Sequence, residues 1–257
     1  MVFEQGGARM YYELHGESGA PLVLLHGWGG SIASMAALAR DFRAKRRVLV
    51  LDFPGHGKSE EPPAPWSVTE YMELTAALMT ELGFAGADII AHSFGARVAI
   101  LMASAHPQLV GRLLLTGAAG IPSGNVGRRR VRTRVYKTLR MLIDNAVTRA
   151  LFGGRVDAWR ERLIQRFGSA DYRALTPSMR QTFNRVIAQD LTAQLSSIRA
   201  STLLVWGTAD ADTPIWMGEL MEREIRDAAL VRFDGAGHYA YVEEYARFLT
   251  IARAFLK

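Results

Sequence analysis

Apolar and polar positions follow two rhythms through the first 116 residues of the chain. Residues 9–14, 21–25, 47–51, 88–91 and 109–116 read as strands, and several are continuous apolar runs such as Leu22-Val23-Leu24-Leu25. Runs of that kind suit strands buried on both faces of a sheet. Between them, residues 34–42, 68–82 and 96–103 carry helical spacing. Ser67-Val68-Thr69-Glu70 predicts a capping box, in which serine and glutamate satisfy the first free N–H groups of a helix, and Gly83 predicts its end. From residue 121 to 188 the pattern changes. Val131, Val135, Leu139, Leu142, Ile143 and Val147 recur at helical spacing with arginines on the other faces, which predicts an insertion of several amphipathic helices. Alternation then resumes, with strands at 202–206 and 230–233 and helices at 214–226 and 243–255. Strands joined by helices imply a mostly parallel sheet covered on both faces, with an antiparallel edge formed by the segments near Phe3 and Tyr12.

Composition narrows the classes. At 257 residues the chain can bury a full core, and 49% hydrophobic with 22% charged residues is the balance of a globule rather than a disordered chain. There is no cysteine, which excludes disulfides, thiolate metal sites and a cysteine nucleophile. No apolar run approaches the roughly 20 residues of a membrane span. Residues 1–7 lack the basic start and apolar core of a signal peptide, so the expectation is a cytoplasmic protein.

The chemistry concentrates at one corner. Ala91-His92-Ser93-Phe94-Gly95 lies between an apolar strand and a helical run. A serine on such a corner is held in a strained backbone conformation, and only small residues two before and two after it allow strand and helix to pack that closely. The strain lifts the hydroxyl above the sheet edge and places the following N–H groups at a helix N-terminus, where an oxyanion can be held. The common form of this elbow is G-x-S-x-G; here Ala91 replaces the first glycine. The bland alternative for Ser93 is a plain helix N-cap.

In open parallel sheets, chemistry gathers outside the carboxyl ends of the strands. Four further strand ends carry polar or glycine-rich punctuation: His26-Gly27-Trp28-Gly29-Gly30, Asp52-Phe53-Pro54-Gly55-His56-Gly57-Lys58-Ser59, Gly207-Thr208-Ala209-Asp210-Ala211-Asp212-Thr213-Pro214 and Asp234-Gly235-Ala236-Gly237-His238. With Ser93 they supply a nucleophile, an acid and a base in chain order. Of the six histidines, His238 alone follows the last strand on a glycine-rich loop, which favours it as base over His15, His26, His56, His92 and His106. His26 is expected to shape its own loop, and His92 to flank the nucleophile without facing it. For the acid, Asp210 and Asp212 share one loop; Asp52 is expected to organise its loop and Asp234 to belong to a turn.

These motifs, in this order, resemble the α/β-hydrolase family, in its serine carboxylesterase-like form with a helical cap, over essentially the whole chain. The resemblance implies an α/β fold with a mostly parallel eight-stranded sheet, helices on both faces and an inserted helical cap: a core of residues 1–120 and 189–257, and a cap of residues 121–188. It places the acid at Asp210, four residues before Pro214. Some relatives carry the acid after the sixth strand, but Gly117-Ala118-Ala119-Gly120 offers no carboxylate. It implies oxyanion donors at the backbone N–H groups of Trp28 and Phe94. Relatives that make an alkyl-enzyme ester place aspartate at the elbow, so Ser93 argues against dehalogenase and epoxide hydrolase chemistry. A serine activated by histidine instead attacks a carbonyl and gives an acyl-enzyme.

The expected activity is therefore a serine hydrolase of carboxylic esters with small to medium acyl chains. Alternatives are a carbon–carbon bond hydrolase of ring-cleavage products, a lactonase, a perhydrolase (against which Phe94 after the nucleophile argues), or a low-turnover ligand sensor of the same fold. No metal or organic cofactor is implied. Residues 121–200 hold 16 Lys and Arg against 5 Asp and Glu. That excess is either a solvated helical face or a basic lid that draws an anionic substrate. The expected partner is a small-molecule ester, with no nucleic acid and no membrane span, in a monomer or homodimer.

Overall fold

A computed structural model describes residues 1–122, 141, 148, 150–151, 153, 155–167 and 170–257. The arginine run at 128–134 and the apolar stripe from Val131 to Val147 lie outside the described residues.

The strands are β1 Val2–Gln5, β2 Ala8–His15, β3 Pro21–Leu25, β4 Arg47–Leu51, β5 Ala87–His92, β6 Val110–Thr116, β7 Ser201–Gly207 and β8 Ala228–Phe233. They form one eight-stranded sheet in the order β1-β2-β4-β3-β5-β6-β7-β8. β1 and β2 pair antiparallel, as do β2 and β4, and every later pairing is parallel. This is the α/β architecture that the alternation predicts, with the antiparallel edge where Phe3 and Tyr12 place it.

Strand pleating sorts the core into two layers. Val23 and Leu25 of β3 face one layer with Leu49, Ile89, Leu113 and Trp206, while Leu22 and Leu24 face the other with Val48, Ile90 and Leu114. The first layer is closed by helices α2 Val68–Glu81 and α3 Phe94–Ala105. The second is closed by α1 Ile32–Phe42, through Met35, Leu38 and Phe42, and by the C-terminal helix through Phe248 and Ala252. The β3 residues Leu22 to Leu25 are fully buried, each worth about 1.5–3 kcal/mol of transfer free energy. A central strand held from both sides makes the loop that follows it a fixed platform.

Local signals explain the element ends. At α2, the Ser67 N–H donates to Glu70 Oε2 (2.7 Å) and the Thr69 N–H to Ser67 Oγ (3.3 Å), the expected capping box. α1 starts two residues earlier than its spacing predicts. The Ser31 N–H donates to Ser34 Oγ, and the Ile32 N–H donates to the distant Asp52 Oδ1 at 2.6 Å. A carboxylate supplied from twenty residues away is invisible to local pattern. The final helix predicted over 243–255 is Tyr245–Phe255, and Glu244 (φ −114°, ψ 43°) separates it from a short helix, Ala240–Glu243, that the spacing does not predict.

The chain separates into two compact units, Met1–Pro122 with Gln181–Lys257, and Ser123–Arg180. The first contains the whole sheet. The described part of the second is helical, with Arg155–Phe167 and Ala170–Ala174, and the Arg180 guanidinium pairs with Glu161 at 2.6 Å. No described helix is long and apolar enough to cross a membrane.

Candidate active site

β5 ends at His92 and α3 begins at Phe94, so Ser93 is the whole turn between them. Its backbone sits at φ 50°, ψ −106°, and among the described residues it is the one non-glycine with positive φ. Such a conformation costs on the order of 1–3 kcal/mol and survives only where the surroundings over-determine it. Here the Ser93 N–H donates to the Thr116 carbonyl (3.1 Å), and the Ser93 carbonyl accepts from the Ala96 and Ala119 N–H groups. Gly95 supplies the space. A Cβ there would lie 2.5 Å from the Leu25 carbonyl oxygen and 2.7 Å from that of His26. Ala91, in the place of the usual glycine, is completely buried in the sheet.

The hydroxyl meets an imidazole. Ser93 Oγ lies 3.0 Å from His238 Nε2, and His238 Nδ1 lies 2.8 Å from Asp210 Oδ2. A carboxylate only accepts, so Nδ1 carries the proton and Nε2 presents its lone pair to the serine. Asp210 is buried with every lone-pair direction addressed. Oδ1 accepts the Asp212 and Thr213 N–H groups, each at 2.9 Å, and Oδ2 accepts the Thr213 hydroxyl at 2.8 Å as well as His238. Burial raises the pKa of this carboxyl, but the hydrogen bonds from His238 and Thr213 outweigh it and hold the group below its ordinary value. Asp212 does not reach the imidazole; it contributes its N–H to Asp210. Asp210, Asp212 and His238 offer donor atoms within 4.8 Å of one another, the kind of cluster a cation could use, yet hydrogen bonds already occupy both oxygens of Asp210.

The Asp210 and His238 loops are stitched together chiefly through their main chains. The Thr208 N–H donates to Phe233, the Ala209 N–H to Ala236, and the Gly235 N–H to Thr208 Oγ1. Glu243 Oε2 accepts the Gly237 N–H at 2.8 Å. Buried Trp206 donates its indole N–H to the Thr213 carbonyl at 2.6 Å, which fixes the residue that in turn fixes Asp210.

Across from Ser93, His238 and Asp210 lies the loop after β3. Phe94 opens its helix and so has no intrahelical acceptor for its N–H. Among the described residues neither that N–H nor the Trp28 N–H donates to a protein acceptor. His26 shapes this loop. It is fully buried, its Nε2 accepts the Phe53 N–H (3.1 Å), and its Nδ1 donates to the Gly27 carbonyl (2.7 Å). Burial, with help from His56, pushes its pKa down to about 3, so it is a neutral strut. The Trp28 ring packs edge-on against His56, Phe94 and Phe183, with centroids at 4.7, 5.2 and 5.1 Å. Asp52 organises its loop as expected, accepting from Ile32 and from the Lys58 N–H (2.8 Å).

The remaining histidines sit elsewhere. His15 pairs with Glu13 beside Val48, at the opposite end of the parallel strands, and His106 closes the far end of α3 near Glu73. Thr213 and Glu243 are not legible as site residues because their roles depend on how their loops fold, and Gly117 is not because its place, with an added Cβ 3.2 Å from His238 Nδ1, depends on two distant loops meeting. Trp206 and Pro214 bracket the acid loop in sequence and are the available signal for it.

A serine on a strand-to-helix corner at the carboxyl edge of such a sheet is the arrangement of an α/β hydrolase. Residues 22–251 match the model of the alpha/beta hydrolase family, and the chain belongs to it. It is similar to a 2-hydroxymuconate semialdehyde hydrolase of Pseudomonas putida, with 30% identity over 249 residues, 93% of this chain and 87% of that protein. It is also 39% identical over 119 residues to the dihydrolipoyllysine-residue acetyltransferase component of an acetoin cleaving system of Pseudomonas putida. That match covers 46% of this chain, which spans about a third (32%) of the relative's length. Among solved structures, MGS-M2, an alpha/beta hydrolase enzyme from a Medee basin deep-sea metagenome library, shares the fold with a TM-score of 0.77 at 20% identity. The match covers 100% of this chain and 97% of that one.

Proposed function

We propose that the protein is a serine hydrolase that cleaves carboxylic esters of small to medium acyl chains through an acyl-enzyme. The observation that carries this reading is the continuous path from Asp210 Oδ2 to His238 Nδ1 (2.8 Å) and from His238 Nε2 to Ser93 Oγ (3.0 Å). In this mechanism His238 takes the serine proton as Oγ attacks the ester carbonyl. The resulting oxyanion is met by the Trp28 and Phe94 N–H groups, and His238 returns the proton to the departing alcohol. Water, activated by the same imidazole, then releases the acid. Asp210 fixes the tautomer and stabilises the transient imidazolium without itself taking the proton. The segment 121–188 is the proposed cap insertion.

A second reading is carbon–carbon bond hydrolysis of an anionic dienone acid. It is favoured by the 30% identity to a 2-hydroxymuconate semialdehyde hydrolase and by the basic excess of residues 121–200. Steady-state turnover of nitrophenyl acetate, nitrophenyl octanoate and a 2-hydroxy-6-oxo-dienoate separates the two. The ester reading expects saturable turnover of the nitrophenyl esters and little of the dienoate. Efficient cleavage of the dienoate with the esters near background would replace it by the second reading.

A further inference from the structure

His92, the residue before the nucleophile, has no part in the proton path described above, yet it is buried between the two loops that do the chemistry. Its Nε2 lies 3.1 Å from the main-chain carbonyl of His238. A carbonyl only accepts, so Nε2 carries the proton of the neutral ring and donates it there. Among the described residues no backbone N–H reaches that carbonyl, and His92 is its donor. The opposite edge of the ring presses on the oxyanion loop. A Cβ on Gly27 would fall 2.7 Å from His92 Nδ1 and 3.2 Å from Cε1, so the ring touches the bare α-carbon one residue before Trp28. The faces of the ring are also occupied, with the His238, Tyr239 and Tyr241 centroids at 4.8, 4.9 and 5.0 Å.

We infer that His92 is a positioning residue, a spacer that sets the separation between the His238 loop and the oxyanion loop carrying the Trp28 N–H. The inference rests on the serine-hydrolase reading. Burial, reinforced by the charge on His238 when that ring is protonated, lowers the His92 pKa to about 3. A ring that stays neutral at working pH places no second positive charge beside the imidazolium that forms during attack. The hydrogen bond and the thickness of the ring hold the two loops at one distance. That distance matters to a transition state gripped from both sides, since misplacement of about 1 Å can lower turnover about 100-fold.

The test compares His92→Gln, His92→Asn and His92→Phe for kcat and KM on nitrophenyl acetate, each checked for folding by its thermal transition. Glutamine carries an N–H near the position of imidazole Nε2; asparagine is too short to reach the His238 carbonyl, and phenylalanine fills the space without a donor. The expected result is kcat down about 10- to 100-fold in the asparagine and phenylalanine variants with KM changed less than about twofold, and recovery to within about threefold of wild type with glutamine. A folded asparagine or phenylalanine variant with wild-type kcat would overturn the role, as would a glutamine variant no better than either. Fluorophosphonate labelling of wild type and Ser93→Ala, run alongside, separates the two levels. Labelling lost in Ser93→Ala while His92 variants behave as wild type overturns the spacer alone; labelling that persists in Ser93→Ala overturns the hydrolase reading beneath it.

Discussion

The imidazole of His238 lies against the bare α-carbon of Gly117. A Cβ at 117 would sit 3.2 Å from His238 Nδ1 and 3.0 Å from its carbonyl oxygen, and Gly117 itself has φ +50°. Gly117→Ala therefore forces the His238 imidazole to move by a few tenths of an ångström and strains the backbone. The expected outcome is kcat lowered about tenfold with a stability loss of about 1 kcal/mol. Kinetics and a denaturation curve on the same preparation check it; unchanged kcat would mean that the imidazole tolerates displacement.

Asp210 and Asp212 share a loop but not a role. Asp210→Asn keeps the shape while presenting an amide that can no longer hold the His238 tautomer, so kcat should fall by about 10⁴. Asp212 contributes its main-chain N–H, which substitution preserves, so Asp212→Asn should stay within about twofold of wild type. Thr213→Val removes the hydroxyl at 2.8 Å from Asp210 Oδ2, and an intermediate loss of roughly tenfold is expected. Measured kcat/KM across the three variants orders them.

The elbow is asymmetric in its demand for small residues. Gly95→Ala drives a methyl into fixed carbonyl oxygens of the central strand, within 2.5 Å of Leu25. A destabilisation of about 1–3 kcal/mol follows, with loss of activity as Ser93 shifts. Ala91→Gly, which restores the common motif, should keep activity and cost about 0.5–1 kcal/mol through the added freedom of the unfolded strand. Urea unfolding midpoints of both variants test the contrast.

Two buried neutral histidines predict a steep acid limb of stability. His26 and His92 have pKa values lowered from 6.5 to about 3 by burial. Between those values the unfolded chain binds protons that the folded chain refuses. Stability is therefore full above about pH 6.5 and falls as pH drops toward about 3, by up to about 1.4 kcal/mol per pH unit for each ring. Asp210, with its folded pKa lowered, adds a contribution present above its unfolded value and lost as pH falls through the folded one. Unfolding free energies from neutral pH to about pH 4 should flatten in a His26→Gln, His92→Gln double variant; an unchanged slope would contradict this origin.

The sheet was legible because its central strands are buried on both faces and so appear as unbroken apolar runs, as at residues 22–25 and 48–51. The elbow was legible because strain at Ser93 forces small neighbours on both sides. The support around the site was not. His92 on the His238 carbonyl joins segments 146 positions apart, and the Thr213 hydroxyl on Asp210 and the Glu243 carboxylate on the Gly237 N–H depend on how each loop folds back on itself. No local rhythm encodes such meetings. The helix break at Glu244 has no Pro or Gly to announce it, and α1 begins early because a carboxylate arrives from β4's loop.

The central claim is that Ser93, activated by His238, forms a covalent acyl-enzyme. Intact-mass measurement after brief exposure to a fluorophosphonate or to nitrophenyl acetate, followed by peptide mapping, tests it most directly. The account predicts a single adduct on Ser93, absent in Ser93→Ala and formed at least about 100-fold more slowly in His238→Ala. An adduct on another residue, or equal labelling of Ser93→Ala, would contradict it.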